Sequence, residues 1–565
     1  MNFLENIFES LRRRSNQPVL AQLRDGKVHS LNGRELLGLA HAARSFLAHA
    51  GLKKGDRCVL LANNEVRWVG MDLGAMAEGI ITVPLYARQA PRELVAMMKD
   101  CAPSLVVCGN SELRDGVAKL WPDAPPLVLF EDVFTRGSGV TDEVSPPVAF
   151  SDADSVTIIY TSGTSGEPKG VVLNVGNLNH MLGCTNARLD LLMGPKREPE
   201  RAFHYLPFCF AGSWILLLTC LSRNTALTMG LDLTRIVDDL QVAAPNYFLN
   251  VPTLLERMRA GITEQIERRG GLALKLFSNA NAAWQRRYAG RAGALDFLWL
   301  GLADALVFPK IRQKIGPNLR ALICGSAPLA VETQLFFMML GLPVLQVYGL
   351  TETTAICTMD DPRHVVPGRA GPAIRGTEMK LGHDNEILVR GPNIFPGYWN
   401  RPEATAKAMR DGWLRTGDQG EVDESGNWRI IGRLKNLIIL NSGHNIAPEP
   451  IEEMLLRRIP GAQHVMLVGN GRSFLGAIVA GSVTNEQVAA ALESVNAQMP
   501  HYRKIRAFVI SQEPFSPDNG LLTANGKLRR DAIAAHFQAQ IDDVYRTGSA
   551  ATAPAAELAA SRDKL

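Results

Sequence analysis

Residues 158–173 read IIYTSGTSGEPKGVVL, and this stretch governs the reading of the whole chain. Ile158, Ile159 and Tyr160 form an apolar, β-branched strand end. Residues 161–170 then place three glycines, four hydroxyl residues, one proline and one lysine in ten positions. Glycine lets a backbone turn tightly and approach a ligand, and exposed N–H and hydroxyl groups donate to an anion. Lys169 adds a cation on a long stem. Such a loop suits a polyphosphate, with Thr161, Ser162, Gly163, Thr164, Ser165, Gly166 and Lys169 as candidate contacts. A Walker A loop is excluded, because it needs Gly-Lys-Ser/Thr after four spacers and here Pro168 precedes Lys169.

Outward from this loop, the chain is long and ordinary in composition. At 565 residues it exceeds the usual single-domain size, and 46% hydrophobic with 21% charged residues describes a soluble globular protein with ample core. A formal charge of +4 is too small and too diffuse for a nucleic-acid binder. Eight cysteines show no CxxC pair, as expected of buried free thiols in a reducing cytoplasm. The N-terminus, MNFLENIFESLRRRSNQPVL, has acidic residues before its basic cluster and no long apolar run, unlike a signal peptide. Residues 214–220, the most apolar stretch, are far too short to span a bilayer. A soluble cytoplasmic protein is expected, with membrane contact no more than peripheral.

Strand and helix patterns alternate along the first half. Helices are expected over 31–50, 66–76 and 91–99, and strands over 57–61, 80–85, 104–108, 247–251, 319–324 and 344–347. This alternation implies parallel sheets with covered faces. Residues 255–316 break the rhythm with a long amphipathic helical stretch. A boundary falls at Gly432-Arg433-Leu434-Lys435, dividing a large domain (1–434) from a small α+β unit (435–546). The tail, 547–565, lacks apolar periodicity and is expected to be disordered.

Further motifs cluster after strand patterns. Residues 346–354, QVYGLTETT, offer an aromatic face at Tyr348 and oxygen ligands at Thr351 and Glu352. Residues 324–329, CGSAPL, form a tight turn, and 411–433 read DGWLRTGDQGEVDESGNWRIIGR. An aspartate such as Asp418 can accept from two hydroxyls at once, and Arg433 presents a fork of donors to oxygens. Asp423, Glu424 and Asn427 read as a solvated turn. Near the C-terminus, LTANGKLRR carries Lys527.

In this order the motifs resemble those of the adenylate-forming, or AMP-binding, superfamily, and most closely the long-chain fatty acyl-CoA synthetases. The likeness runs through roughly residues 30–545. It implies an α/β fold: a large N-terminal domain of parallel and mixed sheets with covering helices and a β-barrel-like part, then a small mobile α+β domain. It implies ATP-dependent activation of a fatty carboxylate to acyl-AMP, then transfer to coenzyme A. By the resemblance, Gly325, Ser326, Ala327 and Tyr348 would line the adenine pocket, and Gln346 and Gly349 would belong to the same ATP/AMP site. Thr351 would contact phosphate, Glu352 with Thr161 would hold Mg²⁺, Asp418 would hold the ribose, and Arg433 would sit near the same ribose or the phosphate. Lys527 would bridge the carboxylate and α-phosphate, Lys435 would be the hinge, and Ser442, Gly443 and His444 would meet coenzyme A. The 255–316 insertion resembles that of the long-chain enzymes.

In HYLPFCFAGSW (204–214), Phe210 stands where many members have histidine, and 210–213 lack the aspartate that binds an amino-acid substrate. Phe210, Gly212 and Trp214 either wall an acyl tunnel or are core residues. An acyl-carrier protein as acceptor, and an inactive acyl-AMP sensor, are the alternatives to a CoA ligase.

Overall fold

The computed structural model describes residues 1–24, 27–135, 145–162, 168–195, 199–230, 232–523, 526–547 and 551–553. The large domain is α/β. One seven-stranded sheet runs in the order Gly397–Tyr398, Pro168–Asn174, Ser155–Ser162, Ile81–Leu85, Arg57–Leu61, Leu105–Cys108 and Leu127–Leu129. Its central strands pair in parallel, and residues 81–85 and 105–108 are buried along their whole length, as strands covered on both faces must be. A second, eight-stranded sheet carries Tyr247–Asn250, Ala321–Cys324 and Val344–Tyr348 side by side in parallel. A five-stranded antiparallel sheet, including Trp413–Val422 and Trp428–Arg433, forms the remaining part of this domain.

Helices fill the space between the two larger sheets. One hydrophobic cluster joins Leu20 and Leu227 of the eight-stranded sheet to Leu60 and Leu173 of the seven-stranded sheet. It runs through the helices Gly33–His49, Val66–Ala77 and Ala211–Ser222. The first of these is stopped on its N-terminal side by Asn32 and Glu35, which form a reciprocal cap. The Ala211–Ser222 helix is apolar on nearly every side, and ten of its twelve residues are buried.

Trp214 belongs to this core, so of its two expected roles the structure supports the core residue and not the acyl-tunnel wall. It is fully buried, and its indole N–H donates to Asp72 Oδ2 at 2.8 Å. Burial pushes the Asp72 carboxyl up to about 6, with the Trp214 bond pulling the other way. The native state therefore holds this proton more tightly than the unfolded chain. Stability should fall as pH rises from about 4 to about 6, by about 2–3 kcal/mol. Asp72→Asn keeps an acceptor for Trp214 without the buried charge. The variant is expected to resist denaturant better than the wild type at pH 7, the gap closing below about pH 4; equal midpoints at pH 7 would refute the assignment.

The small domain packs the strands Ala462–Val468, Leu475–Gly481 and Ile505–Ser511 against Glu449–Arg458 and Asn485–Asn496. Residues 547–565 differ from the expected disordered tail at two places: Thr547 closes the Gln538–Thr547 helix, and Ala551–Ala553 pairs in parallel with residues 509–511. That pairing is made by backbone groups, so it leaves no apolar period in the sequence. Among the described residues no helix is long and apolar enough to cross a membrane.

Candidate active site

The glycine-rich segment joins two strands. Ser155–Ser162 and Pro168–Asn174 pair antiparallel, so Thr161 stands opposite Lys169 and Ser162 opposite Pro168. The strands run further into the expected loop than the composition suggested, and proline is tolerated as the first residue of the second. Gly163, Thr164, Ser165 and Gly166 lie outside the described residues.

Lys169 connects this hairpin to the next motif. Its ammonium lies 5.3 Å from the centre of the Tyr398 ring, and Tyr398 Oη donates to Glu352 Oε1 at 2.7 Å. Glu352 sits in the short helical turn Thr351–Thr353, which follows the strand Val344–Tyr348. The turn is tight because the chain doubles back: a Cβ on Gly349 would lie 2.3 Å from the Ala355 carbonyl oxygen. Thr354 and Ala355 consequently adopt positive φ, 53° and 80°. Tyr398 was not singled out from sequence. Its only signal is an aromatic residue after Pro396-Gly397, in a stretch that reads as a loop.

Asp418 is the second node. Tyr348 Oη donates to its Oδ2 at 2.7 Å, and Arg433 Nε lies 2.7 Å from its Oδ1. Asp418 and Arg433 are cross-strand partners on adjacent antiparallel strands, so sheet register places them together. Burial raises the Asp418 carboxyl above its ordinary value, and Arg433, Tyr348 and Lys527 draw it back down. Burial likewise raises the Tyr348 phenol, with Asp418 adding to the effect. Each Asp418 oxygen keeps acceptor capacity beyond the bond it already receives.

Lys527 reaches this node from the small domain. A tight turn holds it: its N–H donates to Thr523 Oγ1 at 3.0 Å, and Thr523 N–H donates to its carbonyl at 2.8 Å. Lys527 is an exposed residue, yet crowding by the surrounding protein lowers its ammonium pKa by reducing its hydration. Arg433 lowers it further, whereas Asp418 and Glu352 raise it. Two ion-pair groups tie the domains in this pose. Arg529 Nη2 lies 2.5 Å from Glu93 Oε1, and Arg457 lies 3.2 Å from Glu332 and 3.7 Å from Glu256. These pairs join residues far apart in the chain, and no motif marks them.

Other candidates sit elsewhere. Gly325, Ser326 and Ala327 form the turn after Ala321–Cys324, beside Val347, with Ser326 at φ 73°. Gln346 is turned inward. Its Nε2 donates to Gln334 Oε1 at 2.9 Å, and its backbone N–H donates at 2.7 Å to Asp360, a carboxyl that burial pushes up to about 8. Its side chain supports the strand instead of facing Tyr348. Lys435 lies in the turn Leu434–Asn436, its pKa lowered by burial and then by Arg433. Ser442, Gly443 and His444 make a separate exposed turn in which Ser442 Oγ is 2.9 Å from His444 Nδ1 and His444 stacks on Tyr502 at 4.2 Å. Phe210 contacts Tyr86 at 5.7 Å between ring centres, and a Cβ on Gly212 would meet only Leu249, at 3.9 Å.

Residues 7–399 match the family described as AMP-binding enzyme, and residues 435–549 match the AMP-binding enzyme C-terminal domain. The chain belongs to the AMP-binding enzyme family. This family member is 27% identical to the long-chain-fatty-acid–CoA ligase FadD15 of Mycobacterium bovis, over 96% of the chain and 97% of that ligase. It is 26% identical to the long-chain-fatty-acid–CoA ligase ACSBG2 of Rattus norvegicus, over 96% of the chain and 93% of that protein. Its fold matches the A domain of a carboxylic acid reductase from Segniliparus rugosus, with a TM-score of 0.77 at 21% identity, over 97% of the chain and 94% of that domain.

Proposed function

We propose that the enzyme activates a medium- or long-chain fatty carboxylate with ATP and transfers the acyl group to coenzyme A. The observation that carries this reading is the convergence of Lys527, Asp418, Arg433 and Glu352 across the domain cleft. In the first step a carboxylate oxygen attacks the α-phosphorus and the bond to pyrophosphate breaks. Lys527 offsets the negative charge shared by the carboxylate and phosphate, Asp418 and Arg433 hold the ribose, and Tyr348 lies against the adenine. Lys169, Thr161 and the hydroxyl-rich residues between them hold the outer phosphates. Glu352 and Thr161 offer hard oxygens of the kind magnesium takes, and Tyr398 already orients Glu352. Bound magnesium would supply positive charge against the phosphates.

In the second step the coenzyme A sulfur attacks the acyl carbon and AMP leaves. Lys527 must withdraw for the thiol to enter, so the small domain turns about Lys435 and brings Ser442, Gly443 and His444 to the cleft. Both relatives described above are CoA ligases, which favours coenzyme A over a carrier protein. Intact Lys169, Glu352, Asp418 and Lys527 speak against an inactive sensor. Lys435→Pro, which fixes φ near about −65°, should leave pyrophosphate release largely intact and block thioester formation. Equal slowing of both half-reactions would rule out rotation at this point.

The space beside Gly212, bounded by Leu249 and next to Phe210, is assigned to the acyl chain. Each methylene buried there contributes about 0.8 kcal/mol, so kcat/KM should climb with chain length and then level off. Gly212→Leu is expected to depress activity on C12–C16 acids (about tenfold, two methylenes' worth) while sparing C4–C6 acids. A uniform loss across lengths would place the acyl path elsewhere.

A further inference from the structure

The two-helix hairpin Gly271–Tyr288 and Ala294–Leu306 carries an apolar face that no described part of the chain covers. Five of the fifteen large hydrophobic side chains left exposed among the described residues lie on the second helix alone: Leu295, Phe297, Leu298, Leu302 and Leu306. The four leucines follow one another at three- and four-residue steps, which aligns them in a single stripe. Leu295 is 69% exposed and Phe297 58%. The helix is nonetheless firmly seated on its other side. Ala303 is buried, Trp299 and Leu300 pack on the cluster around Phe277 and Phe308, and Arg286 clasps the buried Asp296. The stripe is therefore not a core face turned the wrong way. Soluble proteins seldom leave a contiguous apolar patch without a use for it.

The charge around the stripe identifies what fits it. Residues 271–312 contain six arginines or lysines against two aspartates, an excess as large as the +4 of the whole chain. Both aspartates are already engaged within the region, Asp296 by Arg286 and Asp304 by Arg312. Arg287 spans the hairpin, lying 5.9 Å from the Trp284 ring and 5.5 Å from the Phe297 ring. An amphipathic helix with exposed leucines and a phenylalanine, bordered by cations, matches a membrane interface whose headgroups are negative. A second copy of the chain fits poorly, because two such faces would bring like charge against like charge. We propose that this hairpin docks the enzyme on an anionic bilayer surface, its leucines and Phe297 entering the headgroup–acyl boundary and its cations meeting lipid phosphates.

Vesicle flotation tests this with the full chain. The wild type should float with vesicles of phosphatidylcholine and phosphatidylglycerol, be released by high salt, and bind poorly to phosphatidylcholine alone. Leu298→Glu/Leu302→Glu and Lys275→Glu/Arg291→Glu should each lower the bound fraction roughly tenfold. All four side chains are exposed, so melting and pyrophosphate release should stay at wild-type levels. Should the leucine double variant melt low, Phe297→Ser takes its place. The proposal falls if the wild type ignores anionic vesicles, binds neutral ones equally, or keeps its binding in both variants. It also falls if the wild type is a dimer in ultracentrifugation that the leucine variant converts to monomer.

Discussion

Lys527→Ala is expected to cut pyrophosphate release on the order of 10²–10³-fold while leaving thioester formation from supplied acyl-AMP near the wild-type rate. The reason is positional. Lys527 sits on a turn of the small domain and reaches the Asp418–Glu352 region in this pose. In the proposed mechanism its ammonium meets the charge that accumulates as the carboxylate attacks phosphorus, and a preorganised charge acts most strongly at that moment. In the proposed mechanism the thiol step begins after the small domain has turned away, so it does not draw on this residue. Lys527→Arg separates charge from geometry: the wider, planar guanidinium should recover only part of the rate. Equal loss in both half-reactions would mean that Lys527 shapes the fold of the cleft instead.

The second large effect is expected at Asp418. Asp418→Asn keeps the size of the side chain and an acceptor for Tyr348, but it removes the charge that Arg433 meets at 2.7 Å. A hydrogen bond to a charged group contributes about 1.5–3 kcal/mol, so kcat/KM for ATP should fall roughly 10²-fold, chiefly through KM. Arg433 is partly exposed, which tempers the stability cost of leaving it unpaired. Tyr348→Phe should lose less, because the ring face survives. The pH response follows from the same burial. Burial raises the Asp418 pKa, and in the proposed site only the carboxylate form can accept from both ribose hydroxyls. Nucleotide affinity should therefore decline on acidification at a higher pH than an ordinary carboxylate would give. If the Asp418→Asn variant binds ATP as the wild type does, Asp418 does not belong to the ribose site.

Much of the fold was legible because buried parallel strands announce themselves. Residues 57–61, 81–85 and 105–108 are short apolar runs between helical periods, and the structure makes strands of each. The helix expected over 31–50 from its apolar spacing forms as Gly33–His49, its start set by the Asn32–Glu35 cap. What the chain hid were relations across long separations. Trp214 meets Asp72 at 142 positions' distance, Tyr398 meets Glu352 at 46, and Arg529 meets Glu93 at 436. Periodicity carries no trace of such pairs, because each partner occupies an unremarkable local setting. Gln346 is the reverse case: its place in a motif suggested a ligand contact, but its amide completes a network with Gln334 that no neighbouring residue signals. The continuation of both hairpin strands into the glycine-rich segment was missed for a related reason, since backbone pairing tolerates polar side chains there.

The most direct test of the proposed chemistry is pyrophosphate release from ATP across straight-chain carboxylates of two to eighteen carbons, with and without coenzyme A. Release that depends on a medium- or long-chain acid, with acyl-CoA formed in equal amount when coenzyme A is present, is the predicted result. Release driven best by acetate, by benzoate or by an amino acid would contradict the fatty-acid reading, and no carboxylate-dependent release at all would contradict adenylation itself.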